Sequence, residues 1–154
     1  MQKNALKILS IFTLVFFVMS MTGAAATSTK GKVVEVTKLD QINTALHKGP
    51  VFLRLGASWC PHCQKFAPTL KQLAKEYAGE VTFTSIDIDQ RPSLAKYFGV
   101  RGVPDCTVIV GAKNGKYVYM QQNGKTTSFR PNARITGDHS ISVYKKVLNY
   151  AINP

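Results

Sequence analysis

Two cysteines separated by two residues stand out among the side chains that could do chemistry. Cys60-Pro61-His62-Cys63 follows a short apolar run, residues 51–55, and precedes a long stretch of helical periodicity. A thiolate is the nucleophile in disulfide exchange, and the unpaired N–H groups and dipole of a helix N-terminus stabilise its charge. We therefore expect Cys60 to be the exposed attacking sulfur and Cys63, lying behind it, to resolve a mixed disulfide.

The two residues between the cysteines suit this chemistry. Pro61 fits the first helical turn because no backbone donor is needed there. His62 can add positive charge or a hydrogen bond that favours a thiolate.

Other uses of a C-x-x-C pair fit less well. A structural zinc site needs four ligands, and the remaining candidates, Cys106, His47, His62 and His139, stand at no familiar spacing. Haem attachment requires a histidine directly after the second cysteine, where Gln64 stands. An inert structural disulfide stays open, although so short a loop would stabilise a domain only weakly.

The other candidate side chains have structural interpretations. Cys106 begins a predicted central strand and is expected to be a buried, inert thiol. His47 and His139 are expected at the surface. Tyr117 and Tyr119 alternate along one predicted strand and should pack on one face of the sheet.

Strand patterns alternate with helix patterns through the chain. Strands are predicted at residues 32–36, 51–55, 81–88, 106–110 and 116–122, with a meander continuing towards residue 129. Helices are predicted at residues 37–46, 58–77, 93–98 and 140–152. This order predicts an α/β protein with a mixed sheet.

Local signals refine these elements. Thr37-Lys38-Leu39-Asp40 resembles a capping box, and Pro68 predicts a kink in the second helix. Asn114-Gly115 and Asn123-Gly124 are typical of tight turns.

Two stretches of sequence resemble thioredoxin-fold proteins. The first is Ala-Ser-Trp-Cys-Pro-His-Cys at residues 57–63, followed by Phe66-Ala67-Pro68, and the second is Tyr-Phe-Gly-Val-Arg-Gly-Val-Pro at residues 97–104. The resemblance covers about residues 33–118 and the last helix. It implies a thioredoxin fold, in which a mixed central sheet is flanked by helices on both faces.

The same resemblance implies roles for three residues around the cysteine pair. A cis peptide should precede Pro104 and lie beside the pair. Val103 and Pro104 would then hold a substrate peptide in extended form, and Trp59 would form a partly exposed wall of the peptide groove.

Within that family, the residues around the pair favour one subtype. Thioredoxins usually carry Gly-Pro between the cysteines, whereas Pro61-His62 together with Val103 is similar to Dsb-type periplasmic oxidases. The chain lacks room for the helical insertion of those oxidases. The resemblance is therefore to an oxidase-style site on a small thioredoxin scaffold.

Arg54 departs from the family pattern, which has a buried acid at this position. A cation near the pair would favour thiolates, stabilise the reduced form and make the disulfide a stronger oxidant. Alternatively, the Arg54 side chain extends to the surface and its charge is solvated.

The N-terminus has the pattern of a secretory signal. Lys3 and Lys7 precede an apolar run at residues 8–21, and Ala24-Ala25-Ala26 offers a cleavage site. We predict a signal peptide at residues 1–26 and a thioredoxin-like domain at residues 27–154, located in the periplasm or outside the cell. An uncleaved membrane anchor is the alternative, and only then would the protein associate with a membrane.

Composition sets the remaining expectations. The 154 residues are 45% hydrophobic and carry a formal net charge of +12, but the basic residues are scattered and no nucleic-acid motif is present. We expect an exported thiol–disulfide oxidoreductase on the oxidising side, acting on protein or peptide thiols and reset by a redox partner, without metal or organic cofactor. The alternatives are a reductase or isomerase, for example in cytochrome maturation, and a metal-handling domain that uses the same pair.

Overall fold

Strands and helices alternate along residues 31–153, the part of the chain described by the computed structural model. Strands β1 to β7 span Val33–Glu35, Val51–Gly56, Thr82–Asp87, Asp105–Lys113, Lys116–Met120, Thr126–Thr127 and Ile135–Thr136. Helices α1 to α4 span Leu39–Leu46, Pro61–Glu76, Pro92–Tyr97 and Ile141–Ile152, and a 3₁₀ helix spans Arg130–Ala133. The predicted signal peptide lies outside the described residues.

The strands form one mixed sheet in the order β1-β3-β2-β4-β5-β6. β3 pairs in parallel with β1 and β2, whereas β4 runs antiparallel to β2 and β5. β7 adds two residues beside the beginning of β4, where Thr136 pairs with Asp105 and Ile135 with Cys106. The predicted α/β class with a mixed sheet is confirmed.

Helices cover both faces of the sheet because side chains alternate along the central strands. On β2, Phe52 points into a core formed with α2 and α4, where it stacks on Phe83 with ring centroids 5.1 Å apart. Leu53 and Leu55 point into the opposite core, formed with α1 and α3. Tyr117 and Tyr119 are buried in that second core, as the alternation predicts.

The limits of the second helix and the cap of the first helix differ from the prediction. The second helix begins at Pro61 rather than at Ser58, because Cys60 has an extended backbone and acts as the N-cap. The helix continues through Pro68 to Glu76. The cap of α1 uses Gln41 rather than Asp40, since Oε1 of Gln41 accepts bonds from the backbone N–H groups of residues 37 and 38.

The predicted strand meander gives way to a different structure after β5. β6 contains only two residues, and the 3₁₀ helix and β7 follow it before α4. This segment returns the chain to the sheet end where β4 begins.

None of the helices in the described part of the chain is long and apolar enough to cross a membrane.

Candidate active site

The cysteine pair lies where the carboxyl end of β2 meets α2. β2 ends at Gly56, residues 57–60 form the connection, and α2 begins at Pro61. Because β4 runs antiparallel to β2, its first residue, Asp105, pairs with Leu55 at the same end of the sheet. The loop before β4 is therefore brought next to the cysteines.

Cys60 is the N-cap residue of α2. Its sulfur accepts a hydrogen bond of 3.2 Å from the backbone N–H of Cys63, so a free N–H group of the first turn points at the thiol. This geometry places the positive end of the helix dipole, at the N–H groups of the first turn, where a Cys60 thiolate would form. The expectation that Cys60 is exposed is wrong: only 4% of its surface is accessible, because Ala57 and Val103 pack around it.

Cys63 lies deeper than Cys60, with 1% of its surface accessible. Burial, followed by the hydrogen bond with the Cys60 thiol, raises the pKa of Cys63 above its usual range. A backbone hydrogen bond from Ala57 and the positive charge of Arg54 oppose that rise. Both cysteines are free thiols in this structure.

The loop before β4 approaches Cys60 directly. The peptide bond between Val103 and Pro104 is cis, as the resemblance implies. The Cys60 thiol donates a hydrogen bond of 3.5 Å to the carbonyl oxygen of Val103. Val103 is half-buried and Pro104 is buried, and the bond to the Val103 carbonyl places this loop beside the Cys60 sulfur.

Trp59 forms an exposed surface next to the pair, with 63% of its area accessible. Its indole N–H donates a hydrogen bond of 2.7 Å to Asp89. Sequence reasoning missed Asp89, although its position just after β3, beside the end of β2, was a usable signal. The bond fixes the indole orientation without covering the ring.

Pro61 and His62 both lie at the surface of the first turn of α2. Among the described residues, the His62 imidazole has no hydrogen-bond partner, so the structure gives no direct bond to Cys60. Its influence on the pair would act through solvent-screened charge.

Arg54 lies on β2, on the side of the sheet that faces α2. Its side chain is half-buried, and Nη1 donates a bond of 3.1 Å to the Ser85 hydroxyl. The guanidinium group occupies the space where a Cβ at Gly56 would be, and its Nε has no hydrogen-bond partner. Within residues 31–153 it makes no ion pair with a carboxylate. Neither sequence-based alternative is complete: the group is half-buried rather than solvated, yet its charge acts on Cys63.

Cys106 is fully buried and pairs with Arg54 across β2 and β4. Burial raises its pKa far above the usual range for a thiol. His47 and His139 are exposed. In the described residues no three or more His, Cys, Asp or Glu side chains form a group that could hold a metal ion.

A mixed sheet with helices on both faces and a C-x-x-C pair capping a helix beside a cis-proline loop defines the thioredoxin-fold class. The sequence model of the thioredoxin family matches residues 24–131. The chain belongs to the thioredoxin family, and the family prediction is confirmed.

Individual relatives agree with this assignment. The chain is similar to a thioredoxin domain-containing protein of Theileria parva, at 33% identity over 106 residues, covering 69% of this chain and 46% of that protein. It is also similar to thioredoxin 1 of Chlorobaculum tepidum, at 39% identity over 64 residues, covering 42% of this chain and 63% of the relative. The matches thus span less than two thirds of the length of these relatives.

Solved structures show the same fold. The spinach chloroplast thioredoxin f superposes with a TM-score of 0.57 at 27% identity, covering 79% of this chain and 95% of that chain. A thioredoxin of Halobacterium salinarum superposes with a TM-score of 0.61 at 21% identity, covering 81% and 96%. The predicted thioredoxin fold is confirmed, whereas the relatives are ordinary thioredoxins and do not carry the Dsb-type assignment.

Proposed function

We propose that the protein is a thiol–disulfide oxidoreductase that exchanges disulfides with protein or peptide substrates through Cys60 and Cys63. The observation that carries the proposal is the contact between the two residues. The Cys60 sulfur caps α2 and receives the Cys63 N–H at 3.2 Å, while Cys63 lies behind it. Membership of the thioredoxin family supports the same activity.

In the oxidising direction, a substrate thiolate attacks the Cys60 sulfur of the Cys60–Cys63 disulfide. The S–S bond breaks, a mixed disulfide forms with Cys60, and Cys63 leaves as a thiolate. A second substrate thiolate then attacks the substrate sulfur of the mixed disulfide and releases Cys60. The substrate gains a disulfide, and two electrons remain on the cysteine pair.

The surroundings of Cys60 suit a peptide substrate. Trp59, the residue before Cys60, presents an exposed ring, and the Val103 carbonyl oxygen lies 3.5 Å from the Cys60 sulfur. We infer that an extended peptide lies between them, with its cysteine over the Cys60 sulfur. The pair itself carries the electrons, so the proposal needs no metal or organic cofactor, only a redox partner with a dithiol or disulfide.

We place the activity on the oxidising side. The positive charge of Arg54 favours the Cys63 thiolate, which stabilises the reduced form and makes the disulfide a stronger oxidant. Burial of Cys63 works in the opposite direction. The reductase alternative is supported by the relatives, which are named as thioredoxins.

We also propose that the protein is exported, with its site in the periplasm or outside the cell. The support is the signal-like pattern of residues 1–26. N-terminal sequencing of the protein from its native host should find a chain beginning near Thr27. A chain beginning at Met1 in the membrane fraction would establish an anchor instead.

Equilibration with glutathione buffers measures the direction of the proposed activity. The Cys60–Cys63 couple should have a potential above about −270 mV, the value typical of thioredoxin. Replacing His62 with Pro, or Arg54 with Met, should shift the potential towards more reducing values, and Arg54→Lys should stay near wild type. A wild-type potential at or below about −270 mV would establish the reductase alternative.

A further inference from the structure

The segment that connects β5 to α4 contacts both ends of the loop that carries Val103 and Pro104. We call residues 99–104 the substrate loop and residues 130–137 the clamp segment. The clamp segment consists of the 3₁₀ helix, β7 and the residues around them. Residues 132–137 lie beyond the part of the chain that the thioredoxin family model matches.

At the beginning of the substrate loop, two arginines of the clamp segment bind backbone carbonyl groups. Arg130 donates a bond of 2.8 Å to the carbonyl oxygen of Phe98, and Arg134 donates one of 2.7 Å to that of Gly99. The Arg130 guanidinium also lies 5.6 Å from the centre of the Phe98 ring. The two arginine side chains therefore hold the backbone of residues 98 and 99, directly after α3, in one position.

At the end of the substrate loop, the same arginines bind the side chain of Asp105. Arg130 forms two bonds to its carboxylate, of 2.7 and 3.1 Å, and Nε of Arg134 lies 3.1 Å from it. Asp105 is fully buried and Arg130 is nearly so. Burial raises the pKa of Asp105, while the two guanidinium groups oppose that rise.

A backbone bond completes the contact. The N–H of Gly137 donates a bond of 2.8 Å to the carbonyl oxygen of Pro104. Gly137 has a φ of +94°, a conformation that other residues rarely adopt. Both ends of the substrate loop therefore contact the clamp segment. Arginine side chains bind at both ends, and a backbone hydrogen bond adds to them at the end near Pro104.

We propose that the clamp segment positions the substrate loop, with Arg134 as a positioning residue that fixes the distance between Val103 and Cys60. Ion pairs and bidentate bonds restrict orientation more than apolar contacts do. A buried Asp105 between two arginines contributes little to the free energy of folding, because all three charges lose hydration. It does favour one arrangement of the clamp segment against the substrate loop. In that geometry the Val103 carbonyl lies 3.5 Å from the Cys60 sulfur, at the edge of the proposed peptide groove.

Arg134→Met is the variant that tests this inference, which rests on the proposed function. It removes the bond to Gly99 and one contact to Asp105, whereas Arg130 still pairs with that carboxylate. With a reduced, unfolded protein as substrate and glutathione disulfide as oxidant, KM should rise about ten-fold and kcat should change less than about two-fold. The rate with dithiothreitol, which does not fill the groove, should change less than about two-fold.

Two further variants serve as controls. Arg134→Lys keeps a positive charge opposite Asp105 but cannot also reach Gly99, so its KM should lie between those of wild type and Arg134→Met. Lys145→Met removes a surface ion pair of 2.6 Å with Glu76 at the other end of α2 and should leave KM unchanged. If Arg134→Met does not fold, KM with the protein substrate and the rate with dithiothreitol are measured on Arg134→Lys instead, and a KM equal to that of wild type would then overturn the inference.

An unchanged KM in a folded variant, or a parallel fall in the rate with dithiothreitol, would overturn the inference. Amide exchange provides a readout that does not need activity: the substrate loop should exchange faster in the variant than in wild type, and equal exchange would count against a clamp. A wild-type protein that oxidises neither substrate would refute the proposed function instead, and the exchange result would still stand on its own.

Discussion

At the scale of single residues, the two cysteines differ because of what surrounds each sulfur. Cys60 receives a backbone N–H and faces the Val103 carbonyl, whereas Cys63 is buried and its pKa is raised. The attacking role that we propose for Cys60 and the resolving role that we propose for Cys63 rest on this difference rather than on exposure, since both residues are nearly inaccessible.

Replacing one cysteine at a time should separate these roles. Cys63→Ser should accumulate mixed disulfides between Cys60 and protein substrates, because the resolving sulfur is missing. Cys60→Ser should accumulate none, and Cys106→Ser, which changes a buried thiol, should behave as wild type. Electrophoresis without reductant measures the trapped species; trapping by Cys60→Ser alone would reverse the assignment.

Arg54 should control the pH dependence of the resolving step. Cys63 must be a thiolate to attack, and its pKa is raised, so the rate should increase with pH throughout the neutral range. In Arg54→Met the opposing positive charge is lost, the pKa of Cys63 rises further and the profile moves to higher pH.

The expected size of the rate change in Arg54→Met follows from the loss of one partly screened positive charge. An interaction on the order of 1 kcal/mol corresponds to about a five-fold slower release of glutathione from a Cys60–glutathione mixed disulfide near pH 7. Stopped-flow measurement of that release provides the test. Arg54→Lys should restore the profile; a wild-type profile in Arg54→Met would show that the guanidinium does not act on Cys63.

At the scale of elements, the sequence predicted correctly those helices and strands whose side chains repeat with a regular period along the chain. The strand-to-helix junction at Cys60 and the alternation of Tyr117 and Tyr119 are periodic signals, and the structure contains both. The clamp segment could not be predicted, because its order depends on Arg130 and Asp105, which are 25 residues apart. The bond from Trp59 to Asp89 spans 30 residues and was missed for the same reason.

The cap of α1 gives a prediction at this scale. Oε1 of Gln41 accepts bonds of 2.7 and 3.0 Å from the backbone N–H groups of Thr37 and Lys38. Gln41→Ala should lower the free energy of unfolding by about 1 kcal/mol, because two helix-end donors lose their partner. Urea denaturation measures the change. The matched control is Gln72→Ala, an exposed glutamine within α2; an equal effect of both variants would show that the cap contributes nothing.

At the scale of the whole molecule, the sheet topology brings distant residues to one end of the fold. The carboxyl ends of β2 and β3 carry the cysteine pair and Asp89, and the antiparallel β4 begins there with Asp105. The formal net charge of +12 does not indicate a site by itself, but two of the positive charges, on buried Arg130 and half-buried Arg134, lie around Asp105. Composition therefore could not indicate where those charges act.

The buried tyrosines predict how global stability responds to alkaline pH. Burial raises the pKa of Tyr117 and of Tyr119 to about 12, whereas an unfolded tyrosine titrates near pH 10. Between these values the unfolded chain releases protons that the folded chain retains. The free energy of unfolding should therefore be constant with respect to these groups below pH 10 and fall by about 1.4 kcal/mol per pH unit for each group between about pH 10 and 12.

Urea denaturation across that range tests the prediction. Tyr119→Phe should reduce the slope, because one of the two buried phenols is then missing. A slope that is the same in wild type and Tyr119→Phe would contradict the assignment of the pH dependence to the buried tyrosines.

Direct transfer of a disulfide from the Cys60–Cys63 pair to a substrate is the measurement that tests the central claim. The oxidised protein is mixed with an equimolar reduced peptide that carries two cysteines, and both are analysed by mass spectrometry after alkylation. The account predicts that the peptide loses two hydrogens as Cys60 and Cys63 gain two, that Cys106→Ser transfers equally well, and that Cys60→Ser transfers nothing. Transfer that persists in Cys60→Ser, or a wild-type protein whose pair stays oxidised beside the reduced peptide, would contradict it.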